Sequence, residues 1–115
     1  MKALVLDIPR DEWQTTTGMN LADVPEPELD EARCPADSNQ CIIKPLYTGF
    51  CGSDKSIWFR HAFKEMLLDS RDREDQAYRI CGHEFLGEIV EAGSYSQNHY
   101  GYKPGDIVST ESHIF

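Results

Sequence analysis

Read for the spacing of apolar and polar positions, the chain is mostly short strands. Lys2 to Ile8 (KALVLDI) is apolar, partly β-branched and halted by Pro9, which predicts a first strand. Met19 to Val24 alternates loosely and ends at the turn Pro25-Glu-Pro27. Residues 25 to 39 are rich in Pro, Asp, Glu and Ser and read as a loop. Cys41 to Tyr47 (CIIKPLY) predicts a third strand. Its Pro45 cannot donate to a ladder, so an edge position or a bulge is expected. After Gly49 the period changes. Trp58, Ala62, Phe63, Met66 and Leu67 fall at i, i+4, i+5, i+8 and i+9, one face of a helix that Ser53 or Ser56 would cap. Asp69 to Gln76 is nearly all polar, a surface loop or a solvated helix end. Phe85 to Ala92 (FLGEIVEA) returns to strand character. Gly93 to Gly101 and Lys103-Pro-Gly-Asp106 are turn-like, and Ile107 to Thr110 is a last short strand. No internal repeat is present. Five strands, irregular loops and one helix predict a mainly β fold with some helix, a small, partly open β-barrel.

Composition fits that picture. The 115 residues, 40% hydrophobic and 27% charged, suit one soluble domain over 1–115 and argue against wholesale disorder. No apolar run approaches the ~20 residues that span a bilayer. Ala3 to Ile8 is too short for a signal peptide and is broken by Asp7, so a cytoplasmic location is expected. The net charge of −9 is uneven: residues 1 to 38 carry −6, residues 60 to 79 cancel and residues 80 to 115 carry −4. Without a basic stripe, no nucleic-acid partner is expected. The four cysteines, Cys34, Cys41, Cys51 and Cys81, form no CxxC pair, so no ribbon-type structural zinc site is written here. In an intracellular chain they are expected to stay reduced.

Three pieces carry candidate chemistry: Gly49-Phe-Cys51-Gly-Ser53-Asp54, Gly82-His83-Glu84-Phe-Leu-Gly87 and Lys103-Pro-Gly-Asp106. The first two offer a thiol, an imidazole and a carboxylate beside glycines, which let the backbone turn tightly. Zinc accepts such a mixed S, N and O set, and a catalytic zinc keeps one position open. A lone cysteine is more often a small buried hydrophobe, and a lone His-Glu pair is usually a surface dipeptide. The combination, in this order, is what carries weight.

These motifs, GxCGSD followed by GHEFxGEIVEAG and KPGD, resemble the N-terminal half of the medium-chain, zinc-dependent alcohol dehydrogenase superfamily. The nearest branch is that of the sorbitol, threonine and glucose dehydrogenases. The resemblance runs from the Lys2-Ala-Leu-Val strand to Glu111-Ser-His113. It implies a GroES-like β-barrel, with Cys51, His83 and Glu84 as metal-binding side chains of a catalytic Zn2+. It also implies that Ser53 starts a proton relay and that Asp54 orients a ligand histidine. The implied chemistry oxidises an alcohol, polyol or sugar to a carbonyl. Zinc acidifies the hydroxyl, an alkoxide forms, and hydride passes to NAD or NADP. A full-length protein of this kind is expected to be a homo-oligomer.

The same resemblance marks departures. The family continues with a four-cysteine structural-zinc lobe and a Rossmann domain, and no GxGxxG occurs in these residues. The expectation is therefore a GroES-like domain truncated before both, with no cofactor-binding residue of its own and no turnover alone. Cys51 and His83 stand 32 positions apart, longer than is usual, and the surplus falls in Phe59 to Arg79. That length costs little, about 0.6 kcal/mol per doubling of a loop. Gly93 to Lys103 is also long. His61 and His99 are expected to be solvated, His113 to pack structurally and Cys81 to be a buried thiol. Trp58 and Phe63 are expected in the core or along an alcohol pocket. The competing function is a stand-alone GroES-like binding or assembly module without catalysis.

Overall fold

The computed structural model describes residues 1 to 109. Thr110, the family-like Glu111-Ser-His113 stretch and the expectation for His113 lie outside the described residues. Packing divides the chain into two compact units. One comprises Met1–Pro25 and Phe50–Gly82, the other Glu26–Gly49 and the chain from His83 onward.

The first unit is built on strands β1 (Lys2–Leu6), β2 (Asn20–Asp23) and β4 (Arg79–Ile80), in the order β2-β1-β4 and antiparallel throughout. Helices α1 (Gly52–Trp58) and α2 (Lys64–Arg73) belong to the same unit. Its core is Leu6, Trp13, Ile57 and Leu68, with Ile8, Met19, Leu67 and Cys81 packed against them. Burial of side chains this size contributes about 1.5–3 kcal/mol each. Two features of this unit depart from the sequence expectation. The single helix is two helices, because Arg60 and Phe63 adopt left-handed backbone (φ 61° and 72°) that no helix continues through. Phe63 is consequently 41% exposed and Met66 60% exposed, rather than packed in the core. The polar stretch after Asp69 is a helix end, running to Arg73 before the chain turns. Strand β4 was not foreseen; at two residues it is too short to show a period, and it forms by pairing Ile80 with Val5 and Arg79 with Leu6.

Two arginines fasten α2 to the chain after β1: Arg71 of the helix donates to the Ile8 carbonyl at 2.6 Å, and Arg10 reaches carboxylates of the helix. Arg10 donates to Glu65 (2.8 Å), Asp69 (2.7 Å) and Asp72 (2.8 Å), three carboxylates at helical spacing on one face. The guanidiniums of Arg10 and Arg71 hold the Asp72 carboxyl below its ordinary pKa. That interaction is therefore present above about pH 4 and is lost as acid protonates Asp72 through its depressed pKa. All four groups are solvent-exposed, so salt screens them. Arg10→Ala is expected to lower the melting temperature at low ionic strength, with the difference shrinking in about 1 M salt. A difference that ignores salt would contradict the ionic account.

The second unit holds β3 (Cys41–Gly49), β5 (Glu84–Ala92) and β6 (Ile107–Ser109), antiparallel in the order β3-β5-β6. The ladder between β3 and β5 slips between Pro45 and Tyr47, so the expected bulge is present, on a strand paired on one side only among the described residues. Gly87 sits where a Cβ would press into Ile43 and the Lys44 carbonyl, which explains glycine in mid-strand. A 3₁₀ turn (Pro35–Asn39) closes over Gly93, and Glu31 accepts the Ser94 hydroxyl at 2.7 Å. The long segment after Gly93 folds as one π-helical turn (Ser96–Tyr100). There His99 is exposed yet stacked on Tyr95 (4.7 Å, 19°) and edge-on to Tyr100, so it is packed as well as solvated. The mainly β fold with some helix is as expected, with six strands among the described residues.

Candidate metal centre

Cys51 sits where β3 has ended and α1 has not begun. Its backbone is extended (φ −93°, ψ −179°), and it is the N-cap of α1. Asp54, three residues on, accepts the Cys51 backbone N–H at 3.1 Å, while Cys51 Sγ accepts the Asp54 N–H. This is a reciprocal capping box with sulfur in the place of a hydroxyl, and it satisfies two of the helix's unpaired donors. Ser53 Oγ lies 2.8 Å from Cys51 Sγ. The cap is therefore Cys51, not Ser53 or Ser56; the Ser56 hydroxyl bonds back to the Gly52 carbonyl instead. Asp54 is 1% exposed, which for a carboxylate requires hydrogen bonds such as the one from Cys51.

Cys81 follows β4, its N–H bonded to the Leu4 carbonyl at 2.9 Å. Burial pushes its thiol up, the Asp54 charge adds to this, and Arg60 pulls the other way. Cys81 is a free thiol, half-buried rather than buried as expected, and packed against the core of the first unit. None of the four cysteines is in a disulfide.

Gly82 then takes φ +98°, a conformation glycine adopts without strain, and the chain enters β5 through His83 and Glu84, both exposed. Glu84 pairs with Gly49 at the end of β3. A Cβ on Gly49 would stand 2.7 Å from Glu84 Oε2, so glycine there is what lets the carboxylate lie over the strand end. Cys51 follows Gly49 by two residues, a covalent reach of about 7 Å at most.

His61 is exposed and stacked on Phe59. Trp58 is half-buried, meets Phe50 edge-on at 6.3 Å and packs over Gly18. The residue that sequence reasoning missed is Arg60, which is buried and donates to four groups of its own unit. Nothing in the string Phe59-Arg60-His61 marks it.

Comparison with known proteins follows the same lines. The family model of the alcohol dehydrogenase GroES-like domain matches residues 37–113. An L-threonine 3-dehydrogenase of Streptomyces avermitilis is 36% identical over 119 residues, covering 99% of this chain and 27% of that protein. One from Streptomyces coelicolor is 34% identical with the same coverage. One from Escherichia fergusonii is 34% identical over 97 residues, 84% of this chain and 24% of that protein. The chain spans about a quarter of the length of the curated relatives it matches. No solved structure matches it significantly. The family model covers well over half of the chain, through both the Cys51 and the His83 motifs, so the chain belongs to the alcohol dehydrogenase GroES-like domain family, within the medium-chain alcohol dehydrogenase superfamily.

Proposed function

We propose that residues 1–115 form the catalytic-zinc part of an NAD(P)-dependent dehydrogenase that oxidises a hydroxyl of a small alcohol, polyol or sugar. The observation that carries this reading is the donor set. The two glycine-bearing motifs supply Cys51 on the one hand and His83 and Glu84 on the other, the side-chain types a zinc ion takes. One thiolate, one imidazole and one carboxylate match zinc's borderline character, and they leave a coordination position for substrate or water. Zinc, when bound, supplies a Lewis acid that lowers the pKa of a hydroxyl into the neutral range.

The chain's own residues do the rest. Ser53 Oγ, beside Cys51 Sγ, starts the proton relay: it takes the proton leaving the substrate hydroxyl while passing its own outward toward solvent. Asp54 is a positioning residue: the family resemblance has it orient the ligand histidine, and by holding the Cys51 backbone N–H it also fixes where Sγ points. Asp54→Asn is expected to weaken zinc binding by about 10–100-fold while α1 stays helical, read by chelator competition and circular dichroism. Unchanged affinity would remove Asp54 from this role. The hydride acceptor is NAD or NADP, held by a dinucleotide-binding domain beyond these residues. The relatives are named for L-threonine, which places an amino-acid hydroxyl among the substrates to assay first. A cytoplasmic homo-oligomer is part of the same reading; no helix among the described residues is long and apolar enough to cross a membrane.

The test is zinc content and NAD(P)-linked turnover of the full-length protein carrying Cys51→Ser or His83→Ala. Unchanged zinc and turnover in both variants would sink the proposal.

A further inference from the structure

Helix α1 ends in a Schellman motif: His61 N–H donates to the Ser56 carbonyl (2.8 Å) and Arg60 N–H to the Ile57 carbonyl (3.0 Å). The left-handed residue that closes such a motif is usually glycine, because a side chain is strained there. Here it is Arg60, at φ 61°. Its guanidinium turns back onto the helix end it caps, donating to the Ile57 carbonyl (2.7 Å) and the Trp58 carbonyl (3.4 Å). It also reaches the Gly18 carbonyl (2.8 Å) and Thr16 Oγ1 (3.3 Å), in the segment before β2. It lies over the Trp13 ring at 5.3 Å, and the Arg60 carbonyl accepts the Trp13 indole N–H at 3.1 Å.

Capping alone does not account for this residue. Glycine would cap without strain and without burying a charge whose donors meet carbonyls and a hydroxyl rather than a carboxylate. The Gly18 N–H already donates to the Trp58 carbonyl at 2.8 Å, and what arginine adds is a side-chain fork that braces the end of α1 a second time against Thr16–Gly18 and against the Trp13 ring. The helix is two turns long, about 10 Å, and effectively rigid. Fastening its last carbonyls therefore fixes its first residue, the N-cap Cys51. We infer that Arg60 is a positioning residue for the metal centre, holding α1 so that Cys51 Sγ is presented in a fixed place. This rests on the zinc reading above.

The test replaces zinc with cobalt(II) in the full-length protein and follows the part of the thiolate-to-cobalt charge-transfer band that Cys51→Ser removes, which reports the approach of Cys51 apart from any other cysteine site and without turnover. Arg60→Gly keeps the cap and relieves the strain but removes the fork. It is expected to shift or weaken that band and to lower cobalt affinity by about tenfold. Arg10→Ala, which loosens the same unit at its surface, is the control and is expected to leave band and affinity unchanged. A folded Arg60→Gly protein with the wild-type band and affinity overturns the inference, as does an Arg10→Ala protein perturbed equally. If Arg60→Gly does not fold, Arg60→Lys decides. Its single ammonium cannot span the Ile57 and Gly18 carbonyls as a fork does, so a shifted band supports positioning and a native band and affinity overturn it. A band that Cys51→Ser leaves wholly unchanged overturns the zinc reading itself, an outcome distinct from either of these.

Discussion

Replacing Cys51 by serine is expected to leave the protein folded, short of one zinc per chain, and about 10³-fold slower in alcohol oxidation. The folded half of this expectation follows from where Cys51 stands. It is the N-cap of α1, and serine is among the best N-cap residues, so the helix start is kept or improved. The loss half follows from chemistry. A serine hydroxyl does not ionise as a thiol does, and zinc at such a site takes a thiolate. Lewis-acid stabilisation is worth several kcal/mol, and each 1.4 kcal/mol is about tenfold in rate, which sets the scale. Thermal unfolding, metal analysis and initial rates on the full-length protein separate the two halves. A variant that loses activity only because it unfolds would contradict the account, since the cap geometry predicts no such loss.

The largest expected effect on stability lies in the second unit, at Gly93. Its N–H donates to the Gln40 carbonyl at 2.8 Å, and a Cβ there would stand 2.2 Å from the Asp37 carbonyl oxygen and 2.4 Å from that of Ser38. Both are backbone atoms of the 3₁₀ turn over Pro35–Asn39, so no rotamer change relieves the clash. The turn must lift. Lifting it costs the Gln40 bond and strains the Glu31 contact to Ser94. Gly93→Ala is expected to destabilise by about 3 kcal/mol, the upper end of ordinary overpacking. Denaturant unfolding measures it as a lower midpoint at unchanged slope. A loss below about 1 kcal/mol would mean that the turn is not seated on Gly93 as described.

Much of this was legible in the residues because the strands are patterned and the chemistry is clustered. KALVL, CIIKPLY and FLGEIVEA carry enough apolar and β-branched positions to mark β1, β3 and β5, and Pro45 announces its own bulge. The motifs around Cys51 and His83 are short, unbroken and rich in glycine, so they survive without any knowledge of packing. What stayed hidden depends on contacts distant in sequence. The apolar spacing from Trp58 to Leu67 reads as one helical face. Yet Arg60 and Phe63 take left-handed backbone, and for Arg60 the hold comes from carbonyls as distant as Gly18. No residue preference signals a left-handed arginine. Sulfur as a helix cap is equally unmarked, because hydroxyls and carboxamides are the residues one looks for. Strand β4 exists only because β1 offers it an edge.

The role of Cys51, His83 and Glu84 is the centre of the account, and metal stoichiometry tests it most directly. Zinc per chain should be counted in the full-length wild-type protein and in Cys51→Ser, purified identically and checked for folding. The account predicts one zinc fewer per chain in the variant. Equal zinc in the two folded proteins would contradict it.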